Sequence, residues 1–234
     1  FSHRLLEANK TYIATIQLGV TTTTGDQEGE VVNQKDVVLK PNQLEETLQK
    51  FTGDITQTPP MFSALKFEGK PLYEYARQGI EIERKSRQVT IYDITLNKIE
   101  ESIVILEVSC SKGTYIRTLA EDIGHALGCG AYLKGLERTQ TGNFQLSDAL
   151  TIEAIEAMSM ASREKTLLPV DALLEGLSSI QLTLTETEAI KKGQAIDFNG
   201  KNDNEVRLYG VSGQFLGVGQ PDLQGRLFPK RLIA

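Results

Sequence analysis

From Ala14 to Leu18 apolar residues alternate with Thr15 and Gln17, which predicts a strand over Tyr12–Leu18 after a turn at Ala8–Asn9. Residues 19–29 are polar and rich in Thr, Gly and Asp, a loop by turn chemistry. Pro41-Asn42-Gln43 opens a helix with Leu44, Leu48 and Phe51 on one face, and Gly53 stops it. Pro59-Pro60 begins an irregular stretch that contains a helix over Pro71–Gln78. Arg87–Ile99 and Ile103–Cys110 read as two strands joined by a turn at Glu100–Ser102. After the loop Ser111-Lys112-Gly113, the spacing of Ile116, Leu119, Ile123 and Leu127 predicts a helix over Tyr115–Leu127, ended by Gly128-Cys129-Gly130. Tyr132–Thr141 and Gly142–Phe144 are strand-like, Thr151–Met158 is a short helix, and Leu167–Leu173 leads out of the domain.

From Ile180 the texture changes to short strands between Gly- and Asn-rich turns, with one helix over Thr185–Lys191. This predicts a small β-barrel of about fifty residues, marginal on its own. The first part mixes strands and helices, so the fold class is α+β, and no internal repeat or low-complexity tract interrupts it.

A chain of 234 residues, 40% hydrophobic and 24% charged, suits one large domain with a full core, or a large domain and a small one. The most apolar stretch, Ile103–Val108, is broken by Glu107 and too short to span a bilayer. Phe1–Lys10 holds no long apolar run, so no secretory leader is expected there. Cys110 and Cys129, with only His3 and His125 to join them, form no metal-ligand spacing; core thiols, no metal and a reducing cytoplasm are expected.

The net charge of −6 argues mildly against a nucleic-acid partner. Its distribution qualifies this. Residues 61–90 carry six basic side chains against four acidic ones, and the tail from Pro221 carries Arg226, Lys230 and Arg231 against Asp222, a net +2 in each. On charge alone these segments are ordinary solvated surface.

Four clusters carry candidate chemistry: Asn9–Tyr12 with the loop after it, Met61–Gly79, Cys110–Leu119 and Tyr132–Thr139. In the third, a strand ends, a glycine-bearing loop follows and a helix begins, so free backbone N–H groups favour an anion. Tyr115 and Arg117 at that junction suit a carboxylate or phosphate beside a flat ring; a capped helix with a core Tyr and a surface Arg accounts for the same pattern. The second interleaves Phe62, Lys66, Phe67, Lys70, Tyr73, Tyr75 and Arg77, a mixture that suits RNA and equally suits an amphipathic helix with a packed Tyr face. Asp26 and Glu28 lie in a Gly-rich loop that lacks the spacing of a calcium site, and Asp26 reads first as a turn residue.

Together these clusters resemble the B-type tRNA pseudouridine synthases of bacteria, the TruB family. The carriers are Lys10-Thr11-Tyr12 with Leu18-Gly19, Met61–Lys66 with Leu72–Gly79, Ser111–Thr118 ("SKGTYIRT"), and Leu136-Glu137-Arg138, where Glu137 stands for a usual basic residue. The tail Phe215–Leu232 is similar to a small RNA-binding domain of the PUA type. The resemblance runs along the whole chain in one register. It implies a mixed-sheet synthase core over residues 1–176 and a PUA-like barrel over 177–234. It also implies a cytoplasmic enzyme, a monomer by default, that needs neither cofactor nor metal.

The activity implied is conversion of one uridine in the tRNA T-arm to pseudouridine, with the base flipped from its stack. Tyr115 would stand beside the flipped uracil as candidate base for the C5 proton, and Arg117 would hold the nucleophilic Asp ionised. Tyr12 would stack on or hydrogen-bond the target nucleotide, Leu136 would line the base pocket, and Asp26 would support the site. Lys66, Lys70, Arg77 and Arg138, with Lys230 and Arg231 in the tail, would bind RNA. The family's nucleophile lies in a G-x-L-D-x-x-A-T-G motif upstream of the Tyr12 strand. None of Asp26, Asp54, Asp93 or Asp122 matches that motif, so the expectation is a sequence without the nucleophile. The alternatives are a tRNA-binding fragment or a silent subunit of an RNA–protein particle, and, outside RNA chemistry, a generic α+β protein.

Overall fold

The computed structural model describes residues 1–200 and 204–233. Contacts divide the chain into two compact units: Leu5–Ala149, and Phe1–Arg4 taken together with Leu150–Ala234. The division falls inside helix α1 (His3–Glu7).

The larger unit contains β1 (Lys10–Leu18), β2 (Val20–Thr22), β3 (Val31–Gln34), α2 (Gln43–Lys50), β4 (Gly53–Gln57), β5 (Lys66–Phe67) and β6 (Lys70–Pro71). It continues with α3 (Leu72–Arg77), β7 (Arg87–Glu100), β8 (Ile103–Cys110), α4 (Ile116–Leu127), β9 (Ala131–Thr141) and β10 (Phe144–Gln145). Six strands form one sheet in the order β10-β9-β1-β8-β7-β4. Every pair in it is antiparallel.

β8 and β9 both run against β1, on opposite sides of it, so they are parallel to each other and need a crossover. Helix α4 is that crossover. Its buried residues Ile116, Leu119, Ala120, Ile123 and Leu127 form one helical stripe. They share a core with the inward-facing alternates Ala14, Ile16 and Leu18 of β1 and Val104, Leu106, Val108 and Cys110 of β8. Each fully buried Leu or Ile contributes ~1.5–3 kcal/mol. Gly124 lets helix and chain touch: a Cβ there would lie 2.3 Å from the backbone nitrogen of Ala131, where β9 begins.

The main strands and helices fall where the periodicity predicts, with local differences. Tyr115 is not helical: it is the extended N-cap of α4, with φ −100° and ψ 107°. The stretch expected as a polar loop, residues 19–29, begins with strand β2, which pairs with β3 just beyond it. A second small hairpin pairs β5 with β6, turning through Glu68 and Gly69 at φ 48° and 82°. Edge strand β4 has no strong sequence signal, because its buried alternate ends in a polar residue, Gln57.

The other unit holds α5 (Ile152–Ala157), α6 (Met160–Glu164), β11 (Ser179–Gln181), α7 (Leu184–Lys191), β12 (Ile196–Asp197), β13 (Val206–Tyr209), β14 (Phe215–Pro221) and β15 (Arg226–Leu232). Where a barrel is expected, these strands form a five-stranded sheet, β11-β13-β14-β15-β12, with β11 parallel to β13. Thr183 caps α7 in a reciprocal capping box with Glu186. A separate apolar core includes Leu182, Ile190, Val206, Leu208 and Leu227. The chain as a whole is α+β, with parallel pairing among the described residues confined to this smaller sheet and to a bridge between Asp26 and Leu133 in the larger unit. No helix among the described residues is long and apolar enough to cross a membrane.

Candidate active site

The first turn of α4 faces a cleft of about 450 Å³. Three segments line it: Asp26–Glu28, Thr114–Arg117, and Leu133–Leu136 of β9. The loop before α4 turns through Gly113, whose φ of 80° an L side chain rarely tolerates.

The loop carrying Asp26 is tied down by backbone bonds. The Leu133 N–H donates to Gly25 O at 3.0 Å, and Gln27 N–H donates to Leu133 O at 3.2 Å. Asp26 Oδ1 accepts from Thr24 Oγ1 at 2.5 Å and from the Glu28 N–H at 3.2 Å. This is the turn chemistry expected of Asp26, and it is joined by a second role. Asp26 Oδ2 lies 3.0 Å from Arg117 Nη1, which also donates to Thr24 O at 3.0 Å. Both side chains are about one-fifth exposed, so this pair is shielded more than a surface ion pair. Among the described residues, neither Nε nor Nη2 of Arg117 is bonded, which leaves donors of the fork for another anion.

Tyr115 is half-buried at the same junction. Gln57, at the end of β4, holds its backbone from both sides: the Tyr115 N–H donates to Gln57 Oε1 at 3.0 Å, and Gln57 Nε2 donates to Tyr115 O at 3.2 Å. The Arg87 guanidinium lies over the Tyr115 ring, 4.9 Å from its centroid.

The cleft therefore brings together Tyr115, Arg117, Asp26 and Leu136, the last half exposed. Tyr12 is not among the lining residues. It packs against the core on β1, opposite Val108 and Arg138, and burial pushes its phenol up. Its neighbour Lys10 serves the fold: the ammonium donates to the carbonyls of Leu5, Leu6 and Ala8. Burial and the charge of Arg138 push Lys10 down.

Lys66, Lys70 and Arg77 lie on the β5–β6 hairpin and α3 and are not among the residues that line the cleft. Arg77 covers the Tyr73 ring, 5.4 Å from its centroid. Arg138 is exposed on β9. In the other unit, Lys230 pairs with Glu205 at 2.8 Å, and Arg231 lines a small cavity with Arg4 and Glu205. No cluster of three His, Cys, Asp or Glu side chains among the described residues is arranged to hold a metal.

Sequence reasoning missed Gln57, Arg87 as a partner of Tyr115, and Glu121. Gln57 is marked only by the structure: it ends the inward set of Gly53 and Ile55 on a strand the sequence does not signal, and a buried polar side chain there must find partners. Glu121 lies under the Asp26 loop, since a Cβ on Gly25 would sit 2.6 Å from its carboxyl carbon. Burial, then Asp122, push the Glu121 carboxyl up, against the pull of Arg117.

Three family models match in sequence along the chain: TruB family pseudouridylate synthase (N terminal domain) over residues 1–116, tRNA pseudouridylate synthase B C-terminal domain over 117–175, and Pseudouridine synthase II TruB, C-terminal, over 178–233. The tRNA pseudouridine synthase B of Methylobacillus flagellatus is 49% identical over 234 residues, covering 100% of this chain and 78% of the relative. That of Azoarcus sp. is 51% identical over 234 residues, covering 100% and 77%. Among solved structures, a Cbf5-Nop10-Gar1 complex aligns with a TM-score of 0.69 at 21% identity, over 99% of this chain and 68% of the other. An H/ACA RNP bound to a substrate RNA containing 2'-deoxyuridine aligns with a TM-score of 0.68 at 19% identity, over 99% and 67%. These two likenesses concern the fold.

Proposed function

The chain belongs to the TruB family of pseudouridine synthases, and from that premise we propose that it isomerises a uridine in the T-arm of tRNA to pseudouridine at the cleft in front of α4. The observation that carries this reading is the meeting of Tyr115, Arg117, Asp26 and Leu136, from three separate segments, in one cleft. A flipped base needs such a partly apolar recess, and Leu136 supplies an apolar wall. Tyr115 stands at the helix start, where its hydroxyl serves as base for the C5 proton.

Arg117 is the anion holder. Asp26 and Thr24 O orient its guanidinium through Nη1, and the remaining donors receive the nucleophilic carboxylate and keep it ionised. That carboxylate belongs to the G-x-L-D-x-x-A-T-G motif implied by the resemblance; none of the aspartates in this sequence stands in it. Tyr12 acts from β1 on the target nucleotide, which requires its half-buried ring to be reached from the nucleotide side. Lys66, Lys70, Arg77 and Arg138 bind T-arm phosphates, and Lys230 and Arg231 add contacts in a PUA-like portion. The functional division falls at 176/177. The chemistry asks for no cofactor or metal, and the working form is a cytoplasmic monomer.

Tyr115→Phe, made in a chain carrying the nucleophile motif, tests the reading. Release of tritium from [5-³H]uridine in a T-arm substrate is expected to slow by about 10²-fold or more. Turnover at the normal rate would sink the role of Tyr115.

A further inference from the structure

Gln57 and Arg87 face each other directly across the antiparallel pair of β4 and β7. Residues so paired project from the same side of a sheet. Both side chains are directed to one target, the loop that carries Tyr115. Gln57 is 1% exposed. Its amide bonds the N–H and the C=O of Tyr115 at 3.0 and 3.2 Å, as a neighbouring strand would. Arg87 donates through Nη2 to Gly113 O and lays its guanidinium over the Tyr115 ring. The approach is close: a Cβ on Gly113 would lie 3.3 Å from Arg87 Cζ.

The amide's donor and acceptor are both engaged on one residue, which is the N-cap of α4 and has no side-chain cap. The bonds therefore restrict φ and ψ of Tyr115, while Arg87 restricts its ring. Backbone and ring of the same tyrosine are held by one cross-strand pair.

We infer that Gln57 and Arg87 are positioning residues for the isomerisation, fixing the backbone and the ring of Tyr115 at the mouth of the cleft. The inference rests on the proposed role of Tyr115 as the base. Holding a reacting group in its productive geometry acts on the rate of the chemical step, more than on substrate affinity. Gln57 and Arg87 are not cleft-lining residues, so they act through Tyr115.

The test uses Gln57→Met, Gln57→Asn and Arg87→Lys in a chain carrying the nucleophile motif, with a T-arm stem-loop as substrate. Single-turnover rate and stem-loop Kd are measured separately. Gln57→Met removes both bonds at nearly constant volume, and Gln57→Asn retracts the same amide by one methylene. Each is expected to slow the single turnover at least about tenfold with Kd changed less than about threefold. Arg87→Lys keeps the charge and loses the planar group over the ring; a rate loss of about fivefold at constant Kd is expected. In protein carrying ¹³C-labelled tyrosine, the Tyr115 ring signal, assigned by Tyr115→Phe, should broaden or split in the Gln57 variants.

Gln57 variants with wild-type rate and an unchanged Tyr115 signal would overturn the inference, as would losses of rate and affinity in equal proportion. A raised Kd at unchanged rate in Arg87→Lys would make Arg87 an RNA contact and remove it from the pair. If Gln57→Met does not fold, Gln57→Asn decides. Full activity in Tyr115→Phe would refute the role of Tyr115 itself, whereas an inactive Tyr115→Phe beside a fully active Gln57→Met would refute only the positioning role.

Discussion

Glu121 follows Arg117 by four residues, so the two share a face of α4. Its carboxyl is pushed up first by burial and then by Asp122. A carboxyl raised in the folded state binds its proton more tightly there than in the unfolded chain. Stability is therefore lost as pH rises from the unfolded value near 4.5 through the raised folded value. Glu121→Gln, which cannot ionise, is expected to melt at a higher temperature than the parent at pH 7. The gain should shrink towards zero at about pH 4, where the folded-state carboxyl is protonated. Thermal melts at the two pH values check this, and an equal shift at both would refute it. At this scale the sequence marks Tyr115, Arg117 and Asp26 by type and spacing. It does not show that Arg117 meets Asp26, because the two stand far apart along the chain and only the folded sheet closes that distance.

Helix α4 is the element on which fold and site both depend. Its apolar stripe is visible in the sequence because a 3.6-residue period of apolar positions is the mark of a half-buried helix. Leu119, 1% exposed in the main core, is expected to cost about 2–5 kcal/mol when changed to Ala, measured by urea unfolding. A loss well below about 1 kcal/mol would mean that the helix is not seated on the sheet as described. β4 and the β2–β3 hairpin are not legible in the same way. β4 is five residues long with a buried Gln at its end, and β3 is exposed along its whole length. Such strands form because a neighbour offers a free edge, not because their own pattern demands it.

For the molecule as a whole, charge placement matters more than the net −6. RNA affinity must come from local basic groups, and it falls with salt in proportion to the phosphates neutralised. Replacing Lys66, Lys70 and Arg77 by Ala together is expected to weaken T-arm binding and to reduce the slope of log K against log salt by about two to three. Filter binding across a salt series measures it. An unchanged slope would show that the β5–β6 hairpin and α3 do not touch phosphate. Hydrophobic period, turn residues and the motif around Tyr115 suffice, from the chain alone, for an α+β class, the principal elements and the family, since these depend on neighbours within a turn or two. The pairing of Asp26 with Arg117 and the hold of Gln57 and Arg87 on Tyr115 belong to the tertiary structure. So does the packing of Tyr12 against the core. Each depends on which strand lies beside which, a long-range choice made by burying α4 against β1 and β8.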